Sequence, residues 1–329
     1  MLERRQVLFA LAAGALAPLA ARGQQPSKVW RIGFLLQRHL NRVDSDPVYG
    51  SFTRGLRELG YVEGKNLVIE WRSAEGNSER LMELAAELVR LKVDVLVTPG
   101  TPASRAAQKA TATIPIVMIG VGDPVGSGLV KSLARPGGNT TGLSVFIAEV
   151  GPKYLELLRG MMPKLTHVAV LLNPTNTSHA LVLKGVRASA ERIGVTIQSI
   201  EAGTPQGIAD AFAAMAREHA GALIVAQDAL FIQQKKQIAE LAVERRLPSI
   251  SGNSDYVGAG GLLSYGQNLT DGPSRAAVIV DKILKGGDPR EMPVEQATKF
   301  ELTINLKTAN TLGIKIPQSM LLQATKVIE

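Results

Sequence analysis

Short apolar runs alternate along this chain with segments in which apolar residues recur every three or four positions. Runs such as VDVLV and GALIV are continuous rather than alternating in polarity, as expected of strands buried on both faces. Between such runs, Phe52, Leu56 and Leu59 indicate a helix that ends at Gly60. Because strands that alternate with helices form parallel sheets, the pattern predicts an α/β fold with doubly wound parallel sheets.

The predicted strands fall into two sets that share one plan. Each set opens with a strand that ends in a polar loop, RIGFLLQ in the first and HVAVLLNP in the second. Each continues with a helix that closes on glycine and then with a second strand. The first set is Val29–Leu36, Asn66–Arg72, Val93–Thr98, Ile114–Ile119 and Thr141–Phe146. The second set is His167–Leu172, Val195–Ile200, Ala222–Ala226, Pro248–Ser251 and Gly261–Tyr265.

The repeated plan predicts two similar lobes with a central cleft between them. We assign residues 28–146 and about 263–288 to an N-terminal lobe, and residues 149–262 and about 290–329 to a C-terminal lobe. Two lobes suit a mature chain of about 306 residues, because one hydrophobic core rarely serves more than ~250–300 residues. In open parallel sheets, ligands bind beyond the carboxyl ends of the strands. The loops that follow the strands are therefore the candidate site.

The N-terminus has the layout of an export signal. Arg4 and Arg5 precede an uncharged apolar stretch, and Ala21-Arg22-Gly23 offers a cleavage site with small residues. Residues 1–23 are therefore predicted to be a signal peptide, and the mature protein is expected in the periplasm. The arginine pair leaves two export routes open, the general secretory route and the twin-arginine route.

Composition excludes several classes of function. The chain has no cysteine, which removes disulfides, thiolate metal sites and lipid attachment through an N-terminal cysteine. Its net charge of +8 falls to about +6 without the signal, and its Lys and Arg are scattered among Asp and Glu. With few aromatic residues and no basic run, this distribution indicates a solvated surface rather than a nucleic-acid site. We expect a monomer without metal or cofactor.

Polar residues follow the first and third strands of the first set. Gln37 ends the first strand, and Thr98, Gly100, Thr101 and Ser104 lie where the third strand gives way to a helix. With Thr101 as the helix cap, free backbone N–H groups at this helix start can hold an anion, helped by the two hydroxyls. A plain capped helix without a ligand is the alternative interpretation.

Polar residues also follow the strands of the second set. Asn173 and Asn176 lie in the loop that corresponds to the Gln37 loop, so they are expected to face the same cleft. Asp228 ends the strand GALIVA, where it can bind a ligand ammonium group or cap the next helix. Asn253 and Tyr256 follow the next strand, and the tyrosine is either a wall of the cleft or a core residue.

Catalytic and nucleotide-binding motifs are missing. The chain lacks G-x-S-x-G, G-x-x-x-x-G-K-[ST] and H-E-x-x-H, and its histidines are isolated. GVGDPVG follows the fourth strand, whereas a dinucleotide fingerprint follows the first, so we interpret it as a turn that presents Asp123 toward the cleft. His39 and His179 can reach the cleft, but no histidine has metal-ligand spacing. The chain is therefore not expected to be an enzyme.

Several segments together resemble a known family. They are RELGYVEGKNLVIEW, GTPAS, GVGDPVGSGLVKSLARPGGNTTGLS, LLNPTN, AQDALF and GGLLSYGQN, and the similarity runs from about Val29 to Gln318. This pattern is similar to that of the tryptophan/tyrosine-type substrate-binding proteins of ABC transporters. The resemblance implies a type I periplasmic-binding fold, in which two α/β lobes joined by three crossovers close on a ligand. Ala229 stands where asparagine is common in that family, which leaves the ligand open.

These features lead to one preferred function and two alternatives. The preferred function is capture of a small organic ligand, such as an aromatic amino acid or a related carboxylate, for the membrane permease of an ABC importer. A ligand-sensing module for a membrane kinase or chemoreceptor would have the same fold. A bilobed transferase enzyme fits less well, because an exported chain without a nucleotide motif does not suit that chemistry.

Overall fold

A computed structural model of the protein describes residues 28–39, 47–145, 150–267, 272–296 and 299–329. The predicted signal peptide, residues 1–23, lies outside the described residues. Within this part of the chain, no helix is both long enough and apolar enough to cross a membrane. The described elements follow the predicted alternation of strands and helices.

The first set of elements spans residues 30–145. A short 3-10 helix, Ser78–Arg80, precedes the second α-helix, and Asn77 caps it, because Asn77 Oδ1 accepts a hydrogen bond from the Glu79 amide. The elements are β1 (Trp30–Leu36), α1 (Pro47–Glu58), β2 (Leu67–Ser73), α2 (Leu81–Arg90), β3 (Val95–Pro99), α3 (Thr101–Ala110), β4 (Ile116–Gly122) and β5 (Thr140–Val145).

The remaining elements form the second set and a C-terminal segment. The second set is α4 (Val150–Met161), β6 (His167–Leu172), α5 (His179–Ile193), β7 (Thr196–Glu201), α6 (Pro205–Arg217), β8 (Ala222–Val225), α7 (Ala229–Gln233), α8 (Lys235–Glu244), β9 (Ser249–Ser251), α9 (Ser254–Gly258) and β10 (Leu263–Gln267). The C-terminal segment is α10 (Gly272–Leu284), β11 (Glu295–Gln296), β12 (Phe300–Asn305), α11 (Leu306–Leu312), α12 (Gln318–Gln323) and β13 (Lys326–Ile328).

The strands form two sheets that repeat one topology. The N-terminal sheet has the order β11-β5-β4-β3-β1-β2, and its described pairs are parallel. The C-terminal sheet has the order β13-β12-β10-β9-β8-β6-β7, with one antiparallel pair between β10 and β12. In each sheet the first strand of the set lies between the second and the third. The prediction of two doubly wound α/β lobes is therefore confirmed.

Continuous apolar runs arise because helices cover both faces of each sheet. Val95 and Val97 of β3 pack against the core beneath α1 and α10, whereas Leu96 between them packs against the core beneath α2 and α3. All three side chains are fully buried. Ile224 and Leu223 of β8 divide in the same way between the two cores of the C-terminal lobe.

The C-terminal boundaries of the lobes differ from the prediction. Residues 263–267 form β10 in the C-terminal sheet, although we expected them in the N-terminal lobe. Residues 295–296 form β11 beside β5 in the N-terminal sheet, although we expected them in the C-terminal lobe. The chain therefore passes between the lobes three times, between β5 and α4, between β10 and α10, and between β11 and β12. The predicted crossovers themselves lie outside the described residues.

An irregularity in the pairing of β4 with β5 depends on a glycine. The register shifts between Met118 and Val121, and Gly142 lies opposite Met118. Gly142 has a φ of 130°, which side chains rarely adopt, and a Cβ at this position would lie 2.2 Å from the Met118 carbonyl oxygen. The register resumes at the end of β4, whose residues form part of the cleft described below.

We predict that Gly142→Ala destabilises the protein. The methyl group adds backbone strain and overlaps a carbonyl, which together cost about 2 kcal/mol or more. The thermal unfolding midpoint should therefore fall by roughly 4–8 °C, as measured by circular dichroism. Gly258→Ala is the matched control, because a Cβ there would have no heavy atom within 4 Å. An equal loss in both variants would contradict the proposed steric origin.

Candidate ligand-binding site

A cavity of about 700 Å³ lies between the two lobes, where the carboxyl ends of both sets of strands meet. Its wall includes residues that directly follow or end β1, β3, β4, β8 and β9. Direct contacts across the cleft show that the lobes are closed over it. The contacts are Thr175 Oγ1 to Ser78 Oγ at 3.3 Å, Thr177 Oγ1 to Ser127 Oγ at 3.2 Å, and the His39 amide to Gln233 Oε1 at 3.2 Å.

The predicted site residues divide into two groups. Those that line the cavity are Gln37, Gly100, Thr101, Asn176, Asp228 and Asn253. Those that do not line it are Thr98, Ser104, Asp123, Asn173 and Tyr256. The predicted loops therefore surround the cavity, but several of the chosen side chains point elsewhere. A role in ligand binding stays a prediction for the first group.

Asp228 is the buried carboxylate of the cavity wall, with 3% of its surface exposed. Its Oδ1 accepts hydrogen bonds of 2.9 Å from Asn173 Nδ2 and from the Leu230 amide, and its Oδ2 accepts one of 2.9 Å from Asn176 Nδ2. The bond from Leu230 caps α7, so Asp228 both caps a helix and faces the cavity. Since a carboxylate has about four acceptor positions, one position remains for a ligand.

The loop after β6 holds its two asparagines in fixed orientations. Asn173 Oδ1 accepts hydrogen bonds from the Thr175 amide and hydroxyl, at 3.0 and 2.8 Å. Asn176 Oδ1 accepts in the same way from the Ser178 amide and hydroxyl, at 3.2 and 2.7 Å. Each amide oxygen therefore stabilises its own loop, and each amide nitrogen is left to donate to Asp228. Asn173 is a support for the carboxylate rather than a residue of the wall.

His179 lines the cavity beside Asp228 and is held as a neutral imidazole. The backbone amide of Asn173 donates to His179 Nδ1 at 2.9 Å. His179 Nε2 lies 3.1 Å from the Gln227 carbonyl oxygen, to which it donates. This arrangement assigns the proton to Nε2 and leaves Nδ1 as an acceptor. Burial lowers the pKa of His179 below its usual value, and the nearby charge of Asp228 opposes this only in part.

The start of α3 differs from the prediction. The cap residue is Gly100, with a φ of 80°, and Thr101 is the first residue of the helix. Ser104 Oγ lies 2.8 Å from both Thr98 Oγ1 and the Gly100 carbonyl, so the prediction that the Ser104 hydroxyl faces a ligand is wrong. Thr98 is fully buried and does not line the cavity. Thr101 does line the cavity. In the first turn of α3, the Thr101 and Ala103 amides have no acceptor within the helix, Pro102 has no N–H, and the Ser104 amide bonds to the Gly100 carbonyl oxygen.

Two other predicted residues have structural roles. Asp123 does not line the cavity, and its Oδ1 accepts a 2.8 Å hydrogen bond from the Gly126 amide that closes its own turn. Tyr256 does not line the cavity, and its hydroxyl lies 2.6 Å from Ser249 Oγ, so it is a core residue rather than a wall. Burial raises the pKa of the Tyr256 hydroxyl well above its usual value.

Sequence reasoning missed the aromatic wall of the cavity. Tyr49 of α1 and Tyr154 of α4 both line it. Tyr49 packs edge-on against Phe34 at a ring separation of 5.2 Å, and the Arg38 guanidinium lies 4.5 Å from its ring centre. The helical spacing of Tyr49 with Phe52 indicates a core-facing helix, but it does not reveal that the first turn of that helix borders a cleft.

The described residues offer no grouping of three or more His, Asp or Glu side chains that could hold a metal ion. The charged residues near Asp228 do not neutralise it. Lys235 lines the same cavity but pairs with Asp255 at 3.0 Å. The cavity therefore combines the buried carboxylate of Asp228 with other charged side chains, neutral hydrogen-bonding groups and aromatic residues, which is a set of groups suited to binding a small ligand.

Two lobes of the same topology, closed over a polar and aromatic cavity at the strand ends, define a bilobed ligand-binding protein. Residues 43–328 match the family of ABC transporter substrate binding proteins, and the chain belongs to this family. The resemblance inferred from the sequence is thus confirmed. The chain is also 27% identical over 270 residues to the tyrosine-binding protein of Clostridioides difficile strain R20291, which covers 82% of this chain and 77% of that protein.

Solved structures share the whole fold. A conserved domain protein from Vibrio cholerae superposes with a TM-score of 0.84 at 29% identity, covering 91% of this chain and 100% of the other. An ABC domain from Streptococcus pneumoniae in complex with L-Trp superposes with a TM-score of 0.83 at 27% identity, covering 92% of this chain and 100% of the other. The similarity therefore extends over both lobes.

We predict that the protein loses stability as the pH falls below about 6.5. The folded protein resists protonation of His179, because Nδ1 is an acceptor and the ring is buried, whereas the unfolded chain takes up a proton at the ordinary pKa. Because the pKa of His179 is lower in the folded protein than in the unfolded chain, its contribution to the free energy of unfolding is complete above the unfolded-state pKa. This contribution is lost as the pH falls below that value. Urea unfolding between pH 5 and 8 measures the effect.

His179→Asn is the informative variant, because its Oδ1 can accept the hydrogen bond from the Asn173 backbone amide, whereas the asparagine side chain does not titrate. It should remove part of the pH dependence between 5 and 7. His219→Asn is the matched control, since His219 is exposed and has a φ of 57°, which asparagine tolerates. If both variants keep the wild-type pH profile, His179 is not its source.

Proposed function

We propose that this protein captures an α-amino acid with an aromatic side chain, or a closely related carboxylate, and delivers it to the permease of an ABC importer. The observation that carries the proposal is the state of Asp228. This carboxylate is buried, faces the cavity between the lobes, and forms no salt bridge with a Lys or Arg of the described residues. The ammonium group of an amino acid would supply the cationic partner that Asp228 lacks.

The argument from Asp228 is electrostatic. Burying a charge is costly unless the charge is paired and hydrogen-bonded, and three neutral donors satisfy only part of this requirement. A ligand ammonium group adds a charge-assisted hydrogen bond at the remaining acceptor position. Removal of the ligand and opening of the lobes would return the carboxylate to water. The site therefore favours a cationic group on the ligand.

The start of α3 is the proposed place for the ligand carboxylate. In the first turn of α3, the Thr101 and Ala103 amides lack acceptors within the helix, while Pro102 between them has no N–H, and the positive end of the helix dipole favours an anion. Gly100 and Thr101 line the cavity at this position, on the lobe opposite Asp228. A ligand held by both lobes stabilises the closed arrangement, which is how a two-lobed protein couples closure to binding.

The remaining wall supports an aromatic side chain. Tyr49 and Tyr154 border the cavity, and Val145, Val182 and Ile119 add aliphatic groups to its wall. The volume of about 700 Å³ falls in the range of pockets that hold a small organic molecule. The tyrosine-binding relative and the L-Trp complex are proteins of similar sequence whose ligands have this character, which supports the same class of ligand.

Family membership supports a role in transport outside the cytoplasm. A substrate-binding protein of an ABC importer meets its permease on the far side of the membrane, which agrees with the export signal expected over residues 1–23. We propose that the mature protein works in the periplasm as a monomer with two partners, the ligand and the permease.

Asp228→Asn should weaken binding of L-tryptophan, L-tyrosine or L-phenylalanine by about a hundredfold or more, because it removes the charge that pairs with the ammonium group. Binding of the analogue that lacks the amino group, such as 3-phenylpropionate, should change little. Isothermal titration calorimetry with both ligands measures the difference, and thermal unfolding checks that the variant is folded.

The matched control is Asp255→Asn. Asp255 also lines the cavity, but it is exposed and pairs with Lys235. The affinity of the Asp255→Asn variant for the amino acid should stay within about threefold of the wild-type affinity, as expected when an exposed ion pair is lost. Wild-type affinity in folded Asp228→Asn would exclude the proposed ammonium site.

We also predict that export removes the N-terminal segment near Gly23. Intact-mass analysis of protein from the periplasmic fraction should give the mass of a chain that begins at about Gln24. Full-length protein confined to the cytoplasm would contradict the proposed location. Replacing Arg4 and Arg5 with lysine separates the two routes, because the twin-arginine route requires the arginine pair.

A further inference from the structure

Tyr154 brings a hydroxyl group to the wall of the cavity on the C-terminal lobe. It belongs to α4, is 2% exposed and lines the cavity. A Cβ added to Gly252 would lie 2.9 Å from the Tyr154 hydroxyl oxygen and 3.1 Å from Gln227 Oε1. Gly252 and Gln227 both line the same cavity. The hydroxyl end of the side chain, and not only its ring, therefore lies beside residues of the cavity wall.

The hydroxyl group of Tyr154 has no hydrogen-bond partner among the described residues. Its oxygen is nevertheless not fully enclosed by the protein. In the part of the chain that the structure describes, the fully enclosed side-chain atoms without a partner belong to Gln37, Thr140, Ser144, Gln198 and Gln237. Because the Tyr154 oxygen is not one of these atoms, it keeps access to open space, and the cavity is the space that Tyr154 borders.

The Tyr154 hydroxyl is a donor whose proton is not used within the protein. Burial and, to a smaller extent, the nearby Tyr265 raise the pKa of Tyr154 well above its usual value, so the group stays protonated at physiological pH. A phenol hydroxyl can donate one hydrogen bond, and a buried donor without an acceptor is destabilising. When a ligand fills the closed cleft and displaces water, the acceptor for this proton has to come from the ligand.

We propose that the Tyr154 hydroxyl donates a hydrogen bond to an oxygen atom of the bound ligand and selects ligands that carry an acceptor at this position. The proposal rests on the proposed function, because it assigns a further contact in the same cavity. The oxygen belongs either to the carboxylate of the amino acid or to the phenol group of a tyrosine ligand. Both sources supply the same acceptor chemistry, and the experiment below distinguishes them.

Both sources fit the donors that the cavity offers. A carboxylate has about four acceptor positions, whereas the first turn of α3 contributes the amides of Thr101 and Ala103. A carboxylate held at α3 therefore has acceptor positions left for a donor on the opposite lobe, where Tyr154 lies. A phenol oxygen accepts a hydrogen bond equally well, and it is present in tyrosine but absent from phenylalanine and tryptophan.

The test is calorimetric titration of Tyr154→Phe, which removes the hydroxyl and keeps the ring. The ligands are L-tyrosine, L-phenylalanine and L-tryptophan. If the carboxylate is the acceptor, the variant should bind every ligand that the wild type binds about tenfold more weakly or worse. If the phenol oxygen is the acceptor, the loss should be confined to L-tyrosine.

Urea unfolding of the ligand-free variant separates a ligand contact from a structural role. Because the hydroxyl forms no hydrogen bond within the described residues, its removal should leave the free energy of unfolding unchanged or slightly higher. A hydroxyl that stabilises the fold would instead make the variant less stable. A Tyr154→Phe variant that is clearly destabilised or does not fold would therefore overturn the assignment.

The matched control is Tyr265→Phe. Tyr265 lies near Tyr154 and stacks on Phe300 at a ring separation of 5.4 Å, but it does not line the cavity. Loss of its hydroxyl keeps this stacking and should leave the affinity for all three amino acids within about threefold of the wild-type affinity.

Two further outcomes overturn different statements. If the wild type binds at least one of the three amino acids and folded Tyr154→Phe changes no affinity by more than about threefold, the role of Tyr154 is wrong and the proposed function stands. If the wild type binds none of them, the proposed function fails, and the assignment of Tyr154 fails with it.

Discussion

The negative charge of Asp228 organises the polar side of the cleft. Its carboxylate can only accept hydrogen bonds, so the groups around it must direct their donors inward. Asn173 and Asn176 do so with their amide nitrogens, and each uses its oxygen to hold the loop on which it stands. His179 accepts a hydrogen bond from the backbone amide of Asn173 and remains neutral, so it does not offset the charge of Asp228.

The position of this charge follows from the topology of the two sheets. In each sheet the first strand lies between the second and the third, so the loops after the first and third strands diverge and leave a crevice. Gln37 directly follows β1 and Gly100 directly follows β3. Asn173 directly follows β6, and Asp228 lies shortly after the end of β8. Residues far apart in the sequence therefore meet because the same crevice occurs in both lobes and the lobes face each other.

The sequence allowed prediction of the strands and of the loops that border the cleft, but not of most side-chain directions. Apolar runs identify strands because helices bury both faces, as at Val95–Pro99. Thr98 and Ser104 are turned inward by a mutual hydrogen bond that no local pattern reveals. Tyr49 and Tyr154 have helical spacing typical of core residues, and only the packing of the lobes brings them to the cavity. The lobe assignment of 263–267 failed because an antiparallel partner, β12, is distant in sequence.

Selectivity in such a site arises when the lobes close rather than when a ligand first touches one of them. In an open cleft, water can hydrate Asp228, so a ligand without a cationic group loses little affinity. Closure removes this water and leaves Asp228 dependent on the ligand, so an unmatched carboxylate costs about 1–3 kcal/mol or more. We therefore expect a ligand without a cationic group to bind the open protein without holding the lobes together.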